Sequence, residues 1–267
     1  MSAAGRETAE AKYAEAVRAY RNTPNDPDSI IWLGRRTAYL GRFREAIDIY
    51  SKGIARHPTD ARLYRHRGHR YLTVRKIDRA IADFSKAAEL TSGKPDEVEP
   101  DGLPNARNIP VGTLQSNIRY HLGLGHYLKG HFDEAAKWFR RDVDAAVNPD
   151  MVVASSHWLY MALRRLGRTG EAEAVLAPIS RDMPIIENGS YHRLLLFYKG
   201  ELTAEQLAGS GAGDLEDVTV SYGLGNWNLY SGRISEARRI LARILASDQW
   251  PAFGYLAAEA EVARAGR

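Results

Sequence analysis

Apolar and small residues recur along this chain in a fixed register. In LGRRTAYLGRFREAIDIYSKGIARHP, residues 33–58, the marked positions are Leu33, Gly34, Gly41, Phe43, Ala46, Tyr50 and Pro58. The next 34 residues repeat them: Gly34 becomes Gly68, Ala46 becomes Ala80 and Tyr50 becomes Phe84. Steps of three and four within each half predict two amphipathic helices joined by a tight turn. The turn positions fall at 41, 75, 130, 167, 200 and 232, which are 34, 55, 37, 33 and 32 residues apart. Near-constant steps with one long gap predict an array of helical hairpins. Small residues at the eighth and twentieth positions let paired helices approach closely, and bulky ones fill the groove between neighbours.

The register divides the chain as a single solenoid over 1–267. A half-repeat at 6–21 caps the start. Repeat 1 covers 27–60 and repeat 2 covers 61–90, with helices near 28–40, 43–56, 61–73 and 77–90. The turn glycine of repeat 1, Gly41, is replaced by Arg75 in repeat 2. Residues 91–113, with four prolines and four acidic residues, fit no helix and read as an insertion. Repeat 3 covers 114–147 and repeat 4 covers 149–180, where Tyr160 stands at a position usually small. A degenerate repeat at 186–209 has a full first helix and a stunted second one. GSGAGD at 209–214 reads as a flexible turn, repeat 5 covers 215–247, and 249–265 is a capping helix, apolar on one side and charged on the other.

This pattern resembles the tetratricopeptide repeat (TPR) superfamily over nearly the whole chain. The resemblance implies an all-α fold: a right-handed superhelix of about five to six helical hairpins with terminal capping helices. It also implies that the first helix of each hairpin lines a concave, peptide-binding groove. Carried over position by position, that groove holds Arg35, Tyr39, Arg62, Arg65, His69, Asn117, Tyr120, Tyr127, His157, Arg164, Tyr222 and Asn226. It would be basic at one end and aromatic further on, suited to a protein or peptide ligand with acidic groups. The carboxylate clamp of chaperone-tail-binding TPR domains is not matched, since Ile31 and Arg35 stand where its first Lys and its Asn would be. From about residue 150 the order of elements is similar to NlpI-type bacterial TPR lipoproteins, which are dimerising envelope adaptors. That likeness implies a non-catalytic scaffold and a bacterial source.

Composition changes this picture little. Of 267 residues, 44% are hydrophobic and 26% charged, an ordinary globular balance, and no apolar run approaches a membrane span. The start shows no signal peptide, so the compartment reads as cytoplasmic, or periplasmic if a leader has been removed. With no cysteine there is no disulfide, thiolate metal site or Cys nucleophile. Net charge is +4, with 29 Arg against 8 Lys. That leans toward anionic partners through bidentate Arg contacts, or reflects only codon bias. It is far from a nucleic-acid-binding charge density, and no recurring polar code for RNA stands at fixed repeat positions.

The insertion carries Asp96, Glu97, Glu99 and Asp101. It reads either as a disordered surface loop or as a lid whose acids meet Arg62, Arg65 or His69 on the groove face. Other chemical signals are weaker. His66 and His69 could share a helix face as a metal pair, but the surrounding arginines repel a cation, and no metal or cofactor is expected. Gly123-Leu-Gly125 and Gly223-Leu-Gly225 lie inside predicted helices rather than at phosphate-binding turns. Glu201 and Glu205 read as a solvated face. An enzyme hidden near His157, Tyr191 and His192 would lack an ordered nucleophile, base and orienting group. The terminal helix, with Trp250, Phe253 and Tyr255, offers a face for a homodimer.

Overall fold

The computed structural model describes residues 3–208 and 214–266. The GSGAGD turn lies, but for its last residue, outside the described residues. Among those described, structure is helical, with one isolated bridge between Val98 and Thr113. The helices are α1 (Ala3–Asn22), α2 (Pro27–Tyr39), α3 (Phe43–Arg56), α4 (Ala61–Thr73), α5 (Ile77–Thr91), α6 (Leu114–Lys129) and α7 (Phe132–Asp144). They continue as α8 (Pro149–Arg165), α9 (Thr169–Leu176), α10 (Gly189–Tyr198), α11 (Ala204–Ala208), α12 (Asp214–Tyr230), α13 (Ile234–Leu245) and α14 (Phe253–Ala265). The fold is all-α and built from helical hairpins, as the register predicts. None of the described helices is long and apolar enough to cross a membrane.

Local chemistry sets the helix ends. Asp26 caps α2 by accepting from the Ser29 amide at 3.0 Å, with Pro27 following it. Asn148 does the same for α8 through the Met151 amide at 2.9 Å, ahead of Pro149. Both use a short polar acceptor and then a proline whose missing N–H costs nothing at the first helical position. The hairpin turns need left-handed backbone. Gly41, Gly130, Gly167, Gly200 and Gly232 supply it with φ between 73° and 81°. At the equivalent place in repeat 2, Arg75 is held at φ 61°.

Contacts gather into two compact units, divided within α6. Unit 1 comprises residues 1–104 and 112–122, and unit 2 residues 105–111 and 123–267. The core of unit 1 includes Ile30, Ile31, Ala38, Ala46, Tyr50 and Leu63. A second cluster joins Ala61, Ala87, Leu114 and Ile118. The small-residue positions explain themselves by close approach: a methyl group on Gly68 would meet the Phe84 ring at 3.0 Å. In unit 2, Tyr127, Phe139, Trp158 and Tyr222 are fully buried. Tyr222 donates to the Tyr127 hydroxyl at 2.9 Å. The bulky Tyr160 stacks on Tyr198 of α10 at 4.5 Å between ring centroids, so a worn repeat with a short second helix is packed by aromatic rings instead.

Candidate functional site

The insertion is ordered and closed at its base. The Glu99 amide donates to the Gly112 carbonyl at 3.0 Å, and the Leu114 amide to the Glu97 carbonyl at 2.9 Å. Asp96 accepts from the Thr113 hydroxyl at 2.7 Å and the Gln115 amide at 2.9 Å, which also satisfies the start of α6. From this clasp the segment Glu97–Gly102 runs in unit 1 against α2, α4 and α6, the first helices of three successive hairpins.

Its contacts are polar and specific. The Glu99 carboxylate lies 2.8 Å from Arg65 Nε, with side-chain exposures of only 11% and 8%. Asn117 Nδ2 donates to the same carboxylate at 3.3 Å. Arg35 Nη1 donates to the Pro100 carbonyl at 2.7 Å, and Arg36 Nη1 to the Gly102 carbonyl at 2.8 Å. Gly102 sits so close to Tyr39 that an added methyl group would fall on its hydroxyl.

The surroundings are strongly cationic. Burial, then the like charges of Arg65 and Arg35, push the Arg70 guanidinium down to about 10, against the opposing pull of Tyr50 and Tyr39. Burial first, and the neighbouring arginines after it, hold His66 and His69 well below the usual imidazole range. Arg65 Nη1 approaches both Nδ1 atoms at 3.4 Å. Arginine can only donate, so both imidazoles accept as neutral rings. That geometry commits both Nδ1 atoms to the Arg65 guanidinium. His121 is pushed down to about 3, chiefly by burial, and its Nδ1 meets the Asn117 carbonyl at 2.5 Å. Burial also raises the Asp101 carboxyl, with Arg35 opposing.

The structure brings Arg35, Tyr39, Arg65 and Asn117 together under the insertion. Arg62 is directed elsewhere: it binds Asp28 at 2.6 Å and Asp60 at 2.7 Å, across the α2 and α4 starts. His69 packs on His121 at 4.7 Å, and Tyr120 stands edge-on to His121 at 5.2 Å. In unit 2 the expected groove positions other than the half-buried Arg164 are interior. Tyr127, His157, Tyr222 and Asn226 are at most 1% exposed and offer a ligand no surface in this conformation. His157 is stacked against Tyr191 and Tyr198, and burial alone pushes it down to about 3. His192 directs its Nε2 to the Ser180 carbonyl at 2.7 Å, so that nitrogen is engaged with backbone. Arg164 lies over the Tyr230 ring at 4.5 Å.

Part of that burial comes from the terminal helix, which packs on α12, the helix of Tyr222 and Asn226, whereas α10 covers His157. Gly254, Leu256, Ala257 and Ala258 of α14 are buried, and a methyl on Gly254 would meet the Val218 carbonyl at 2.7 Å. Glu261, 4% exposed, reaches Arg165 at 2.5 Å and Arg264 at 2.6 Å. Of the residues expected to pair two copies, Phe253 and Tyr255 are half-buried and Trp250, at 42% exposure, lies at the surface. Sequence reasoning missed Arg36, Gly102 and Glu261. Gly102 carried the one available signal, a lone glycine after Glu-Pro-Asp inside an insertion.

No family model matches the sequence, and no curated protein does. Solved structures do. Putative kinesin light chain TPR-like repeats from Podosopora anserina are 14% identical with a TM-score of 0.50, covering 90% of this chain and 98% of that one. YrrB, described as a TPR protein with an unusual peptide-binding site, is 16% identical with a TM-score of 0.47, covering 92% and 97%. MamA from AMB-1 is 21% identical with a TM-score of 0.46, covering 64% and 90%. At these identities the likeness concerns the fold. With the 34-residue register and the hairpins it packs, this chain has an all-α helical-hairpin fold like that of the kinesin light chain repeats.

Proposed function

We propose that the protein is a non-catalytic interaction scaffold that holds an extended, acidic segment of a partner on the first-helix face of unit 1. One observation supports this above the others: that face already holds an extended acidic segment, Glu97–Gly102 of the chain itself. Arg65 meets its carboxylate, while Arg35 and Arg36 take its carbonyls. Backbone-directed donors bind extended chain without regard to most side chains, and a buried ion pair sets register. Helical repeats present such faces on rigid elements, so binding needs little reordering.

The test is affinity capture with the full chain as bait, in three forms. Glu99→Gln weakens the resident segment and should raise recovery of a partner over the wild type. Adding Arg65→Gln should abolish it, whereas adding Arg62→Gln, on a side chain paired with Asp28 and Asp60, should not. Equal recovery by all baits contradicts the reading.

A further inference from the structure

The docked segment also records what the face selects. Val98 and Leu103 are 60% and 71% exposed, so neither is gripped, and Val98 only borders the face without filling it. Glu99 is read by its charge, through Arg65 and Asn117. Proline at 100 lacks an N–H and presents its carbonyl to Arg35. Position 102 is read by size, because the Tyr39 hydroxyl and the Arg35 guanidinium close over the glycine Cα. Beside the segment a cavity of about 180 Å³ remains, walled in part by Ile31, Trp32, His66 and Val98.

Resting on the reading of unit 1 as an interaction face, we infer that this face is a recognition site for Glu-Pro-x-Gly in extended chain. A partner protein carrying that motif displaces the insertion, which is the resident pseudo-ligand. Charge complementarity identifies this occupant: Arg35, Arg65 and Arg70 gather here, and Glu99 is the acid placed among them. A partner overcomes the tethered segment by filling the cavity that Val98 leaves. A bulky apolar residue before the glutamate does this by burying its side chain against Ile31 and Trp32.

The experiment uses fluorescent peptides of sequence EVEPDGLP, residues 97–104, with Val98→Phe, Glu99→Gln and Gly102→Ala forms. They are titrated by anisotropy into the full chain and into its Glu99→Gln/Gly102→Ala variant, which frees the face. The variant should bind the parent peptide at least about tenfold more tightly than the wild type does, since the resident segment no longer competes. The Phe peptide should bind best, the Gln and Ala peptides about tenfold or more weakly, and Arg65→Gln should remove binding. Circular dichroism confirms folding. If the variant fails to fold, a dye on Leu103→Cys of the wild type, unique in a chain without cysteine, reports displacement by the Phe peptide instead. Four peptides binding alike overturn the motif and leave the interaction face standing. A folded variant that binds none overturns both. Concentration-dependent self-association of the wild type in light scattering, lost in the freed variant, would make a second copy's insertion the occupant, overturning the partner assignment.

Discussion

At position 75 an arginine holds a backbone that glycine holds at five other turns. Its φ of 61° lies in the left-handed region, where a Cβ is strained. The amides of Arg75 and Lys76 still close on the Leu72 and Tyr71 carbonyls, at 3.0 and 2.8 Å, as at the glycine turns. Arg75 recovers part of the cost by donating from Nη1 to the Thr73 carbonyl at 2.6 Å. Arg75→Gly should therefore stabilise the fold by about 0.5–1 kcal/mol in denaturant titration. An unchanged or lower midpoint would mean that the side-chain bond outweighs the strain. This departure was legible from the 34-residue register. So was the placing of Arg35, Arg65 and Asn117 on first helices, because those positions repeat. The burial of Tyr127, Tyr222 and Asn226 was not, because it depends on a helix more than twenty residues away in sequence, and periodicity carries no record of which face a distant element covers.

At the scale of elements, two segments with little repeat character do the covering. The insertion covers first helices in unit 1, and α14 packs on α12 and α13 in unit 2. The charge of the insertion and its place between repeats pointed to Arg62, Arg65 or His69, of which Arg65 meets Glu99; nothing local pointed to Arg36 or to the fit of Gly102 under Tyr39. Gly102→Ala should detach the segment and cost about 1–3 kcal/mol, as overpacking does. A faster limited trypsin cut after Arg107, with the helical circular dichroism kept, would report the detachment. Glu261 is a stronger case. It is the carboxylate between Arg165 and Arg264, so Glu261→Gln leaves two partly buried cations without a counter-charge. The expected loss is about 3–5 kcal/mol. A loss under about 1 kcal/mol would show that α14 is held by its apolar side alone.

For the whole molecule, buried neutral histidines set an acid limit on stability. The folded-state values of His66, His69, His121 and His157 are depressed, so below the unfolded value of about 6.5 the unfolded chain binds more protons. Stability is full above that pH and falls as pH drops toward the folded values, by about 1.4 kcal/mol per pH unit for each histidine once its unfolded form is protonated. Thermal melts from pH 7.5 to 4.5 should show a steep decline, made shallower by His121→Asn. A flat profile would contradict the neutral, buried imidazoles. Burial keeps His66 and His69 neutral first, and Arg65 and Arg70 add to it at both, with Glu99 as the counter-charge placed on Arg65. Both the setting of these histidines and the interaction face thus depend on Glu97–Gly102 being docked. The most direct test of that docking is hydrogen exchange at the Glu99 amide, which is bonded to Gly112 only while the clasp is closed. Protection in the wild type, falling at least about tenfold in Arg65→Gln, is the expected result. Exchange at the free-chain rate in the wild type, or protection untouched by that substitution, would contradict it.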